Sequence, residues 1–326
     1  MKALLLKDKG QWREMQVEEI EKPVPAEGEI LVRVKAVGLN PVDYKTGQNG
    51  SPAWTYPHIL GLDAAGEVEE TGAGVTGFDK GDRVVFLADM TKKGAFAEYA
   101  IAKARTVSKL PEGVSFTDAA ALPVAAYTAY QALFYKLHIQ KNKTILIHAG
   151  AGGVGGFAIQ LAKYAGLTVI TTASEENHDH VKQLGADFAI DYNKEDFVQK
   201  TKEYTDDLGV NYVLDTVGRE NATKSLEALA YNGQIAFIAG QPEMNESISF
   251  AHPISFHHVA LGSVYQSENH DEEATLKSIG DHLVELLAKG EIKSLVEQVI
   301  SLEEVPKGLE ELETRKVKGK IVAEIN

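Results

Sequence analysis

Cysteine is absent from all 326 positions of the chain. That absence excludes disulfides, thiolate nucleophiles and every metal site built on sulfur. Long hydrophobic runs are missing too: no stretch approaches the roughly 20 apolar residues of a membrane span. The apolar run at the start, Met1-Lys-Ala-Leu-Leu-Leu6, is too short for a secretory signal, so a cytoplasmic protein without membrane attachment is expected. Positive charge is scarce. The 33 Lys and Arg are outnumbered by 47 Asp and Glu, a formal net charge of −14. Because nucleic acid and anionic lipid are engaged first through Lys and Arg, neither is an expected partner. Internal repeats, low-complexity tracts and an obvious linker are likewise lacking.

What is present is the composition of a folded enzyme, 44% hydrophobic and 25% charged. The length exceeds what one hydrophobic core usually serves, which predicts about two domains. Up to about residue 120 the pattern is short strand-like runs, such as Glu29 to Val37 and Asp82 to Leu87, broken by Gly- and Pro-rich turns. A small all-β domain is expected there. From about Phe116 the texture becomes Ala-rich and helical, and apolar strands then alternate with amphipathic helices, the pattern of a parallel sheet. Its six strands are placed at Thr144 to Ala149, Leu167 to Ala173, Phe188 to Asp191, Asn211 to Thr216, Gln234 to Ala239 and Val259 to Tyr265. The fold class is therefore α/β, with a doubly wound sheet. A helix from about Glu272 to Lys289 and a final strand from Lys320 to Ile325 are expected to rejoin the first domain.

The strongest local signal is a strand, a glycine turn and a helix in that order: Ile145 to Ala149, then Gly150-Ala-Gly152-Gly153-Val154-Gly155, then Phe157 to Tyr164. Gly150 permits the turn, Gly152 lets backbone approach a pyrophosphate, and Gly155 lets the helix pack on the strand. The helix N-terminus then faces the anion. The second strand ends Thr171-Thr172-Ala173-Ser174 rather than in the acid that usually holds NAD ribose. Ser174 and Asn177, with Tyr192 from the next strand, favour the 2′-phosphate of NADP, whereas Glu175 or Glu176 would suit the ribose of NAD. Val217, Gly218, Gly240 and Ser263 are expected along the carboxyl edge of the same sheet.

Six segments in order resemble the medium-chain dehydrogenase/reductase superfamily, and within it the zinc-free quinone oxidoreductase (zeta-crystallin-like) branch. They are Asn40-Pro-Val-Asp43-Tyr-Lys45, Gly61-Leu-Asp63-Ala-Ala-Gly66, Gly81-Asp-Arg-Val84, Gly94-Ala-Phe-Ala-Glu98-Tyr99, Leu122-Pro-Val-Ala-Ala-Tyr-Thr128 and Ala149 to Gly155. The resemblance implies a GroES-like β-barrel catalytic domain over 1–121 and 266–326 and a Rossmann NAD(P)-binding domain over 122–265. Zinc-dependent relatives carry a Cys, a His and a Cys where this chain has Asn40, Leu62 and Val124, none of which replaces a thiolate or imidazole. The neighbours His178 and His180, and His257 and His258, lack a third ligand at suitable spacing, so no metal is expected.

Without a Lewis acid the substrate must be electrophilic by itself. The expected reaction is hydride transfer from NADPH to a quinone or an α,β-unsaturated carbonyl. The resemblance places Asn40 at the vanished ligand's position, as a donor to a substrate carbonyl, with Asp43 bracing the loop and Tyr44 or Lys45 offering a proton. It places the Thr128 hydroxyl against the nicotinamide. Trp54, Tyr56 and Phe86 are candidate walls of an apolar pocket. The alternatives are an enoyl-thioester reductase and a nucleotide-binding scaffold or sensor without turnover. A homodimer is implied by analogy, formed through the sixth strand at the sheet edge.

Overall fold

The computed structural model describes residues 1–244 and 248–325. The chain folds into two compact units, one of residues 1–127 and 261–326, the other of residues 128–260.

In the first unit the strand Glu29–Gly38 is the hub of a seven-stranded sheet. One side of it pairs antiparallel with Asp63–Thr71. The other serves Tyr99–Lys103 along its first half and Lys320–Glu324 along its second. Register shifts at Leu31/Val32 and Val34/Ala36 against Asp63–Thr71 bend it, as β-bulges do. Its run of Ile, Val, Leu and Ala presents apolar side chains to a core containing Trp12, Phe86, Phe96, Ile30 and Ile321. Each such large side chain, once buried, contributes about 1.5–3 kcal/mol.

The helix His270–Ala288 closes over this unit through Leu276, Ile279, Leu283 and Val284. Its buried Glu273 accepts from Lys103 Nζ at 2.7 Å and Arg105 Nε at 2.5 Å, so the one acid on the packed face is doubly neutralised.

The second unit is a six-stranded sheet, parallel throughout, in the spatial order Phe188–Asp191, Thr168–Ala173, Thr144–Ile147, Val210–Asp215, Leu229–Phe237, Ser255–His258. Numbered along the chain this order is 3-2-1-4-5-6, the doubly wound arrangement. The first five strands fall where the apolar runs predict. The sixth does not. It spans Ser255–His258, and the aliphatic run expected there forms a short 3-10 segment, Leu261–Gln266, grouped with the first unit. Pairing ends at His258, and the Tyr265 hydroxyl is drawn instead to the Leu87 carbonyl oxygen at 2.6 Å. Residues 122–127 also group with the first unit, where the Val124 N–H donates to Asp63.

Candidate active site

In the first unit, three strand ends and a helix start converge on a buried polar cluster. Asn40 follows the hub strand and precedes the helix Pro41–Asn49, Asp63 opens the neighbouring strand, and Lys320 opens the last strand of the chain. Lys320 Nζ donates to Asn40 Oδ1 at 2.6 Å, to the Leu39 carbonyl oxygen at 3.0 Å and to Asp63 Oδ2 at 3.1 Å. Asn40 Nδ2 donates to Asp63 Oδ2 at 2.8 Å, and Asp63 Oδ1 accepts the Val124 N–H at 2.7 Å. Lys320 and Asp63 are 3% and 0% exposed, so an unpaired charge on either would carry a full desolvation penalty.

Asp43 lies beside them and accepts the Asn40 N–H at 2.8 Å, which helps cap the helix. Burial, and then the neighbouring Asp63 carboxylate, push its pKa up to about 8, against the Asn40 N–H and the Lys320 charge. At neutral pH it is therefore mostly protonated.

The second unit carries the glycine turn. A Cβ on Gly150 would strike the Thr171 hydroxyl, and one on Gly155 would strike the Ala149 carbonyl oxygen, so both glycines are required by packing. Gly152 is different. A Cβ there meets only the Ala149 oxygen, at 3.4 Å, and its backbone is extended. No side chain caps the helix Gly153–Tyr164 that begins at this point, so its first N–H groups are left for a ligand. This cradle fits the pyrophosphate of a dinucleotide.

Two buried residues that the sequence reading passed over shape the surroundings. Ala149, at φ +53°, is held by Thr172 Oγ1, which accepts its N–H at 3.1 Å and contacts His148 Nδ1 at 3.1 Å; His148 Nε2 in turn meets Ser225 Oγ at 2.9 Å. Burial alone lowers the His148 pKa to about 3 and keeps the ring neutral. At the end of the fourth strand, Asp215 Oδ1 accepts the N–H groups of Val217 at 3.1 Å and Gly218 at 2.9 Å, and Oδ2 accepts from Asn221 at 2.6 Å. Their only hint in the sequence is a polar residue at the end of an apolar strand.

Along the chain, 26–112 match the model of the alcohol dehydrogenase GroES-like domain and 153–280 that of the zinc-binding dehydrogenase. A quinone oxidoreductase of Pongo abelii is 33% identical over 264 residues, 80% of each chain. The chain belongs to the medium-chain dehydrogenase/reductase superfamily. It stands with the quinone-oxidoreductase-like members of that superfamily, and its α/β architecture of GroES-like domain and Rossmann-like sheet is theirs. A zinc-type alcohol dehydrogenase-like protein of Staphylococcus aureus is 35% identical over 256 residues, 74% of this chain and 75% of the relative. Among solved structures, a mycobacterial protein complexed with NADPH superposes with a TM-score of 0.88, at 28% identity and full coverage of both chains.

For this superfamily member the geometry redistributes the expected site residues. Asn40 has its carbonyl oxygen committed to Lys320 and its amide to Asp63 and the Gly38 carbonyl, so it has no group left for a substrate carbonyl. Zinc ligation fails on the same ground: Asn40 is spent, Leu62 and Val124 offer only hydrocarbon, and the Lys320 ammonium would repel a cation. Among the described residues no group of three His, Cys, Asp or Glu side chains could hold a metal.

Tyr44 packs in the core with its ring 5.8 Å from Trp12, and burial raises its phenol pKa, so it is poorly placed to donate a proton. Asp43 is enclosed in the cluster, and Lys45 alone of the four is exposed. Phe86 is fully buried in the core and lines no open pocket, whereas Trp54 is half-buried, stacked 4.0 Å from His58, and Tyr56 is 37% exposed.

In the second unit Thr128 is buried, and Val217, Gly218 and Gly240 follow the fourth and fifth strands as expected. Ser263 does not lie on the sixth strand; it belongs to the 3-10 segment grouped with the first unit. Ser174 and Asn177 come together, the Asn177 amide donating to the Ser174 hydroxyl at 2.9 Å. Tyr192 lies just beyond Asp191, which pairs with Ala173 across the sheet. Among the described residues no helix is long and apolar enough to cross a membrane.

Proposed function

We propose that the protein is a cytoplasmic, zinc-independent reductase that moves a hydride from NADPH to a small conjugated carbonyl compound, a quinone or an enone. Residues 128–260 hold the nucleotide in this reading, with the glycine turn Gly150 to Gly155 at the pyrophosphate, Val217, Gly218, Gly240 and Thr128 toward the nicotinamide end, and Ser174, Asn177 and Tyr192 toward the adenosine ribose. Reduced nicotinamide, when bound, supplies the hydride. Trp54 and Tyr56 are the aromatic residues offered to the substrate in this reading.

The observation that carries this reading is the closed Asn40–Asp63–Lys320 network. Asn40, which the family resemblance sets at the position of a zinc ligand, has its hydrogen bonds already made within this network. A substrate then has to spread developing negative charge over its own conjugated atoms. Because Asn40, Asp43 and Tyr44 are enclosed, the proton that follows the hydride comes from water or from the exposed Lys45. The quinone oxidoreductase relatives support the substrate class, and the NADPH-complexed mycobacterial structure supports the nucleotide.

The test is a spectrophotometric panel that follows NADPH and NADH consumption with 1,4-quinones, 2-alkenals, enoyl thioesters and simple alcohols, with a chelator present. Quinones or alkenals should be turned over whether or not the chelator is added. Chelator-sensitive alcohol oxidation would overturn the proposal, turnover confined to enoyl thioesters would redirect it to a thioester reductase, and nucleotide binding without any turnover would make the protein a scaffold.

A further inference from the structure

At the carboxyl ends of the second and third parallel strands, where Ala173 pairs with Asp191, the turns that follow face each other. One carries Ser174, Glu175, Glu176 and Asn177, the other Tyr192, Asn193 and Lys194. Lys194 Nζ lies 2.5 Å from Glu175 Oε2 and 3.9 Å from Asp191 Oδ2. Both Lys194 and Glu175 are exposed. The Glu175 hydrogen bond and charge, helped by Asp191 and Glu195, raise the lysine's pKa.

Two of the neutral donors here, Ser174 and Asn177, already engage each other. Ser174 Oγ accepts from Asn177 and donates to Glu176 Oε1 at 3.2 Å. In a doubly wound sheet this edge receives the adenosine ribose. NADH would bring only hydroxyls, which a carboxylate accepts, whereas the 2′-phosphate of NADPH would bring roughly two negative charges against Glu175 and Glu176. A nearby cation is needed to offset them, and Lys194 reaches this turn from the neighbouring one. An exposed ion pair opens at little cost because water screens both partners.

We propose that Lys194 is the residue that recognises the 2′-phosphate, released from Glu175 when NADPH binds, and that Glu175 is its counterweight, which keeps NADH competitive. The pair sets the nucleotide preference of the site, and the inference rests on the dinucleotide reading above.

The test is direct binding to the full-length protein, followed by calorimetry or nucleotide fluorescence, with NADPH, NADH, adenosine 2′,5′-bisphosphate and 5′-AMP as probes. Lys194→Gln should weaken NADPH and the bisphosphate about tenfold, the scale of a charge-assisted hydrogen bond to phosphate, while NADH and 5′-AMP change little. Glu175→Gln should act in the opposite sense, tightening NADPH and weakening NADH. If the unaltered protein binds NADPH and both variants leave the NADPH-to-NADH ratio unmoved, the selector is wrong and the dinucleotide site stands. If the unaltered protein binds none of the four probes, both readings fall.

Discussion

Lys320 illustrates how a single side chain can hold a buried polar cluster together. Its ammonium closes three acceptors in a space that water does not reach. Lys320→Met strands the Asp63 carboxylate and the Asn40 carbonyl, and the expected loss is roughly 3–5 kcal/mol of unfolding free energy in urea titrations, the scale of breaking one partner out of a buried ion pair.

Asp43 supplies a second test through pH. Its folded pKa, pushed up to about 8, lies far above its ordinary 3.8, so the folded state keeps a proton that the unfolded chain releases. The stabilisation from this group is complete below pH 3.8 and is lost as pH rises through 8. Asp43→Asn should flatten that dependence, so that urea midpoints measured from pH 5 to 9 diverge and the variant is the more stable protein at pH 9. A wild-type midpoint that rises across this window in step with the variant's would contradict the assignment.

At the scale of an element, the turn between the first parallel strand and its helix holds, within six residues, two glycines fixed by packing and one, Gly152, with room for a Cβ. Gly155→Val forces a side chain against the Ala149 and Gly150 backbone, and a thermal scan should register a loss of about 1–3 kcal/mol, as for overpacked cores. Gly152→Ala has room, so its stability should stay within about 1 kcal/mol of the parent, the range of a changed N-cap. Its methyl group stands where the pyrophosphate would approach, and NADPH binding should fall sharply. A Gly152→Ala protein that still binds NADPH with parental affinity would show that the cradle lies elsewhere. His148 and Thr172 hold the start of the same turn from beneath, which explains how a non-glycine residue, Ala149, is kept at positive φ.

For the whole molecule, the sheet of residues 128–260 has the strand Ser255–His258 at its edge, with one row of backbone groups unpaired within the sheet among the described residues. We propose a homodimer through this edge, and sedimentation should return twice the 35.4 kDa chain mass. A concentration-independent monomer would count against it.

The amino-acid sequence by itself determined the α/β class, the glycine turn, five of the six parallel strands and the missing thiolate and imidazole ligands. All of these are written in local composition and spacing, where a period of two, a turn glycine or an absent residue type needs no distant partner. The tertiary structure alone decided that Asn40 is consumed by Lys320, that Tyr44 and Phe86 belong to the core, and that Val259 to Tyr265 leaves the sheet. Asn40 and Lys320 are 280 residues apart. Lys320 begins a strand whose next three residues are also buried, so no alternation along the chain betrays its partners. Which polar group is spent on another depends on what the fold brings within hydrogen-bond reach, and contacts between distant segments leave no periodic trace in the sequence.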